Sequence, residues 1–159
     1  MKFIRTIATG RHAIKDEAYN RKPIRKWGNS REEIDLLGVL GEFTVAKVLK
    51  LPFDASLSLE GDGGTDLMLG KYNVQVKTTK YRTGRLIFNS EKEMLADIYV
   101  LCYAEPELAE VTILGYIRHA SLPECIIKMD LGHGMRLVVE QKHLKPISLI
   151  IAYIDTMSI

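Results

Sequence analysis

Residues Gly61–Arg85 read GDGGTDLMLGKYNVQVKTTKYRTGR, and the alternation within this stretch sets the expected fold. Asp66-Leu67-Met68-Leu69 and Tyr72-Asn73-Val74-Gln75-Val76-Lys77 both alternate in polarity, and Gly70-Lys71 between them suits a two-residue hairpin turn with glycine first. Such a turn fixes the register. Leu69 pairs with Tyr72, Met68 with Asn73 and Leu67 with Val74, which sets Asp66 opposite Gln75, with Cβ atoms roughly 5 Å apart. Lys77 lies two residues further, on the same face and about 7 Å along the strand. Leu67, Leu69, Tyr72, Val74 and Val76 fill the other face, so one side of the hairpin is core and the other a polar cluster.

That cluster points to chemistry on a phosphodiester. A hard divalent cation such as magnesium takes oxygen ligands and keeps several waters, so few protein ligands suffice. Asp66 and Gln75 supply two side-chain oxygens and the Val76 carbonyl a third. An ammonium beside the ion, that of Lys77, shares the work of neutralising the transition state. Whether Lys77 accepts a proton or polarises water is left open by the sequence, because the former requires a lysine pKa lowered by burial or by nearby positive charge.

A further acid comes from the preceding segment. Ser30-Arg31-Glu32-Glu33 is a capping box opening a helix from about Arg31 to Lys50. Ile34, Leu37, Val45, Val48 and Leu49 form its apolar stripe, with Gly38 and Gly41 on the same stripe. Glycines there weaken the helix, and close approach to a sheet explains them. Glu42 projects from the edge of the stripe, within reach of the hairpin's polar face.

At these residues the chain resembles the PD-(D/E)XK, or restriction-endonuclease-like, nuclease superfamily. The likeness rests on Gly41-Glu42, on Asp66 after a glycine-rich loop, and on Gln75-Val76-Lys77. It is nearest to the branch with Q-x-K in place of D/E-x-K, found among junction-resolving and repair nucleases and in phage proteins. Ala96–Leu101 is similar to the strand that follows in such domains, and His143-Leu144-Lys145-Pro146 is a weaker echo. The resemblance spans roughly Arg31 to Pro146. It implies an α/β (α+β) fold with a mixed central sheet flanked by helices. It also implies Glu42, Asp66, Gln75 and the Val76 carbonyl around Mg²⁺, or Mn²⁺ in its place, with Lys77 as the catalytic lysine. Two departures stand out: Gln75 is a neutral amide, which weakens cation binding and argues against a second metal, and Thr65 replaces the proline before Asp66.

Charge supports a nucleic-acid partner. The chain has 159 residues and a net charge of +2, but residues 1–31 hold nine Lys/Arg against Asp16 and Glu17, a net +7, and the remainder is −5. A basic arm over residues 1–30, followed by a nuclease-like domain over 31–159, is the expected organisation. Arg21, Lys22, Arg25 and Lys26 in the arm, beside Trp27, and Lys80, Arg82 and Arg85 after the catalytic strand are the candidate DNA contacts. No apolar run is long enough to span a bilayer, and the N-terminus lacks a signal-peptide apolar block, so cytoplasmic residence (a host's cytoplasm for a phage protein) is expected, with no membrane partner. Cys102 and Cys125 match no metal-ligand spacing and are expected reduced.

The remaining strands are expected at 85–89, 97–103, 111–117, 126–131 and 135–140, the last two forming a hairpin around Gly132-His133-Gly134, with a helical turn over 91–95. The apolar tail 147–153 is expected as a last strand or helix, or as a dimer contact. The functional expectation is a Mg²⁺-dependent DNA endonuclease, structure-selective for branched or junction DNA and homodimeric. The alternative is a catalytically weak or inactive nuclease-fold module that binds nucleic acid or a partner protein. Each residue taken singly also has a structural use: Asp66 in a turn, Gln75 and Lys77 on a solvated strand face, Glu42 in an ion pair, the basic run on a solvated helix face.

Overall fold

A computed structural model describes residues 31–53, 65–105 and 110–157. Helix α1 covers Arg31–Val48. It stops where Lys50 turns left-handed (φ 55°) and the Leu51 N–H closes back on the Ala46 carbonyl at 2.8 Å, a Schellman-type ending just before Pro52. Strands β1 (Leu67–Leu69), β2 (Tyr72–Thr79), β4 (Ile98–Glu105) and β5 (Glu110–Arg118) form a mixed sheet in the order β1-β2-β4-β5. β2 and β4 are parallel and the other two pairs antiparallel. Strands β3 (Leu86–Phe88), β6 (Ile127–Asp130) and β7 (Met135–Val139) make a second, antiparallel sheet in the order β3-β7-β6. A single turn α2 (Leu122–Cys125) and a last helix α3 (Ser148–Met157) complete the α+β fold.

The mixed sheet is covered differently on its two faces because β2 alternates. Val74 and Val76 point into a core with Val45, Ala46 and Leu49 of α1, Val100 and Cys102 of β4, and Ile150 of α3. The opposite face carries Tyr99 and Leu101 into a second core with Leu86, Phe88, Leu137 and Val139. Helices therefore cover one face and the second sheet the other, an arrangement the order of predicted elements did not separate from helices on both sides. Phe88 and Tyr99 meet edge to face, ring centres 5.0 Å apart, in the middle of that second core.

Local details follow from single residues. Gly41 lies so close to β2 that an added Cβ would fall 1.9 Å from Thr78 Oγ1, the close approach expected of it. Gly38 has no such role, since a Cβ there meets only the Glu42 carboxylate, at 4.0 Å. Ile34 and Val48, placed on the buried stripe by periodicity, are exposed because the sheet meets the helix along the line through Gly41, Val45 and Leu49. The register of β4 and β5 shifts between Leu101 and Cys102, and Gly115 beside this bulge (φ 147°) lets Leu144 and Lys145 approach. Tyr116 and Lys145 then exchange two backbone hydrogen bonds of 2.8 Å, so the His143–Pro146 segment lies along the outer edge of β5.

Candidate active site

The β1–β2 hairpin has the register its turn demands: Leu69 faces Tyr72, Met68 faces Asn73 and Leu67 faces Val74, with Gly70 at φ 59°. The ladder then ends. The Asp66 N–H donates to the Val74 carbonyl at 3.0 Å, a one-residue irregularity, so Asp66 sits just outside β1 instead of continuing it opposite Gln75. Its carboxylate takes over the pairing, with Oδ2 accepting the Val76 N–H at 2.6 Å. A strand residue presents its N–H and C=O on the same edge, so the Val76 carbonyl lies on this edge as well. Beyond residue 74, β2 has no strand partner on that side among the described residues. An edge that would otherwise invite pairing is thus capped at Val76 by one carboxylate.

Lys77 and Gln75 lie on the face that β3 covers. The Lys77 ammonium sits 5.0 Å from the centre of the Phe88 ring. Burial lowers the Lys77 pKa below the usual lysine value, and the nearby carboxylates of Glu93 and Asp66 oppose the shift without cancelling it. Glu93 comes from the 3₁₀ turn Glu91–Glu93 and is fixed by Asn89, whose N–H donates to Oε2 at 2.9 Å and whose amide donates to Oε1 at 2.5 Å. Burial raises the Glu93 pKa, but these two hydrogen bonds and the charges of Lys77 and Arg136 outweigh it and leave the carboxyl below its ordinary value. Sequence reading missed Glu93 and Phe88. The signal was present for Glu93, since Ser90-x-x-Glu93 has the spacing of a capping box, here with the glutamate reaching back to the N–H of residue 89.

Gln75 supplies the test of whether a cation fits. Its Oε1 is buried and finds no hydrogen-bond donor among the described residues. An orphaned buried acceptor is a position that an oxygen-liganded cation would complete. Asp66 and the Val76 carbonyl share one strand edge, whereas the Gln75 side chain projects from the adjoining face that β3 covers. Glu42 is not shown to join them. It is half-buried, its carboxylate lies back over Gly38, and α1 packs on the face of β2 away from Lys77. A side chain of α1 meets Lys77 only around the open edge of β2. Among the described residues no group of three His, Cys, Asp or Glu side chains is arranged to hold a metal.

A cavity of about 550 Å³ adjoins Lys77, walled by residues of β2, the turn after it, Arg85 and Leu101. The candidate phosphate contacts differ in their freedom. Arg82 stacks its guanidinium 5.2 Å from the Tyr103 ring centre, Arg85 Nη1 reaches Met129 Sδ at 3.5 Å, and Lys80 stands 5.5 Å from the Tyr81 ring centre. Arg21, Lys22, Arg25 and Lys26 lie outside the described residues. A second cavity of about 470 Å³, lined by Tyr72, Asp97, Tyr116, Arg118 and Tyr153 among others, opens at the other end of β2. Its Asp97 caps a strand by accepting the Asn73 N–H at 2.8 Å, as expected of a residue at a strand start. No described helix is long and apolar enough to cross a membrane. No protein-family model matches the chain, and no curated protein does.

Proposed function

We propose that the chain is a divalent-metal-dependent endonuclease of the PD-(D/E)XK type, hydrolysing phosphodiesters of DNA in the cytoplasm. The observation that carries this reading is the Asp66 carboxylate close enough to the part-desolvated Lys77 to act on its charge, with the buried Gln75 Oε1, which has no donor among the described residues, two residues away on the same strand face. Asp66, Gln75 and the Val76 carbonyl would hold Mg²⁺ or Mn²⁺, with Glu42 joining around the strand edge. When bound, the cation supplies charge neutralisation on the phosphate and a more acidic water. Lys77 orients the attacking water against the phosphorus and, with its pKa lowered, exchanges a proton more readily than an ordinary lysine. Water oxygen bonds to phosphorus, the P–O bond to the leaving strand breaks, and that oxygen takes up a proton. Asp66 has a double duty, since its bond to Val76 N–H also fixes the strand edge on which the reaction takes place.

Duplex cleavage needs two such sites, so a homodimer belongs to the proposal, and branched or junction DNA is the substrate class it favours. The test is a panel of labelled linear, branched and single-stranded DNA incubated with Mn²⁺ or with EDTA. Cleavage should require the metal, vanish in an Asp66→Ala variant and fall steeply in a Lys77→Ala variant, both of which still bind DNA. Unchanged cleavage in either variant removes the assignment.

A second reading is favoured by the neutral charge of Gln75. In it the chain is a weakly active or inactive nuclease-fold module that holds nucleic acid or a partner protein. Calorimetric titration with Mg²⁺ and Mn²⁺ separates the two, because a module of this kind takes up no metal even with DNA present.

A further inference from the structure

The turn that follows the candidate catalytic strand is rigid, basic and tipped by an exposed aromatic ring. Tyr81 N–H donates to Thr79 Oγ1 at 3.1 Å, and Gly84 N–H closes back on the Tyr81 carbonyl at 2.9 Å. From the far end of the chain, the Gln141 amide donates to the carbonyls of Arg82 at 2.8 Å and Gly84 at 2.7 Å. Gly84 itself admits no side chain, since a Cβ there would fall 2.4 Å from Thr79 Cγ2. A turn held at so many points does not collapse onto the protein, yet Tyr81 remains 60 % exposed at its tip.

The surroundings of the ring select its partner. Tyr81 and Lys77 line the same cavity of about 550 Å³, together with Arg85 and three threonines, and among the described residues no acidic side chain contributes to that wall. Lys77 and Arg85 line the cavity and Lys80 stands against the ring, so the site favours an anionic occupant. An open hollow of this volume accommodates a single nucleotide. A paired base is already stacked on both faces, so an exposed ring beside a basic hollow finds a stacking partner only in an unpaired nucleotide.

We infer that Tyr81 is a stacking platform for one unpaired nucleotide beside the scissile phosphate, which directs the chain to single-stranded or splayed segments of nucleic acid. The inference rests on the nuclease reading and narrows its substrate. Lys77 then meets the phosphate of a strand held by its neighbouring base, and Thr79 and Gln141 act as positioning residues that keep the ring presented.

The test measures binding in EDTA by fluorescence anisotropy, with the full chain, a blunt duplex, and the same duplex carrying a single-stranded branch. Tyr81→Ala should weaken binding to the branched form roughly 5- to 150-fold, the span corresponding to about 1–3 kcal/mol per stacked base, while duplex affinity stays within about twofold. Tyr81→Phe, which keeps the ring, should restore branched binding. Equal weakening on both forms, or on neither, overturns the platform while leaving metal-dependent cleavage to stand on its own measurement. Failure of the unmodified chain to bind either form overturns the inference, and cleavage with Mn²⁺ decides the nuclease reading separately.

Discussion

The two faces of β2 are built from neighbouring residues and have opposite physical characters. Val74, Val76 and Thr78 turn toward α1, where Gly41 brings the helix backbone close enough to exclude anything larger than a hydrogen. Gln75 and Lys77 turn toward β3, where a cationic group and an orphaned amide oxygen are held next to the aromatic core. The first face gains stability by dense packing. The second keeps polar groups in an environment that disfavours their charge, which is where function is expected on physical grounds. One strand serves both because its side chains alternate, and the open stretch of its outer edge connects the two sides.

The contrast can be broken at Phe88, whose ring is fully buried and forms the floor beneath Lys77. Phe88→Ala should cost about 3–5 kcal/mol of stability in denaturant melts. In whatever folded population remains, water reaching Lys77 should move the basic limb of the cleavage pH profile upward. A smaller effect, read chiefly in the rate, is expected at Lys77 itself. Lys77→Ala should lower cleavage on the order of 10²–10³-fold, as loss of one transition-state-stabilising group does. Thr78→Val, one residue on and facing α1, should leave the cleavage rate unchanged and hold or raise stability, because the Thr78 hydroxyl is buried with no partner among the described residues.

The packed face is probed by Gly41→Ala, whose new methyl meets Thr78. A loss of about 1–3 kcal/mol is expected, largely recovered in the Gly41→Ala/Thr78→Ala pair, and a double-mutant cycle on melting data measures the coupling. The smallest effect is electrostatic. Folding lowers the Lys77 pKa from its ordinary 10.5, so between the folded value and 10.5 the unfolded chain binds more protons and stability climbs with pH; below that window the penalty is present in full. Lys77→Met should therefore raise the melting temperature at neutral pH, with the gain shrinking as pH approaches 10.5. A gain that does not depend on pH would show that packing, and not charge burial, is responsible.

Much of this arrangement is legible in the chain. The hairpin register follows from Gly70-Lys71 and strict alternation, and the three paired positions of β1 and β2 lie where that register puts them. Gly41 was readable as a close approach because glycine on a buried helical stripe has few other uses. Asp66 was misread by one structural step: alternation carries it into the strand, whereas the ladder breaks and its carboxylate substitutes for a backbone partner. No local pattern encodes that break. Glu93 and Phe88 escaped for a different reason, since their proximity to Lys77 arises from the packing of the second sheet on the first, a contact between residues separated by the β3 turn. Periodicity also overextended the stripe of α1 to Ile34 and Val48, because a helix crossing a sheet touches it over only part of its length.

The Gln141 amide that ties the turn at Arg82 and Gly84 comes from 59 and 57 residues further along the chain. During synthesis, the segment bearing Lys77 leaves the ribosome well before its own tether exists. The two hydrogen bonds that tie the turn can form only after residue 141 has emerged. A chain that stalls before that point would carry Lys77 beside an untethered turn.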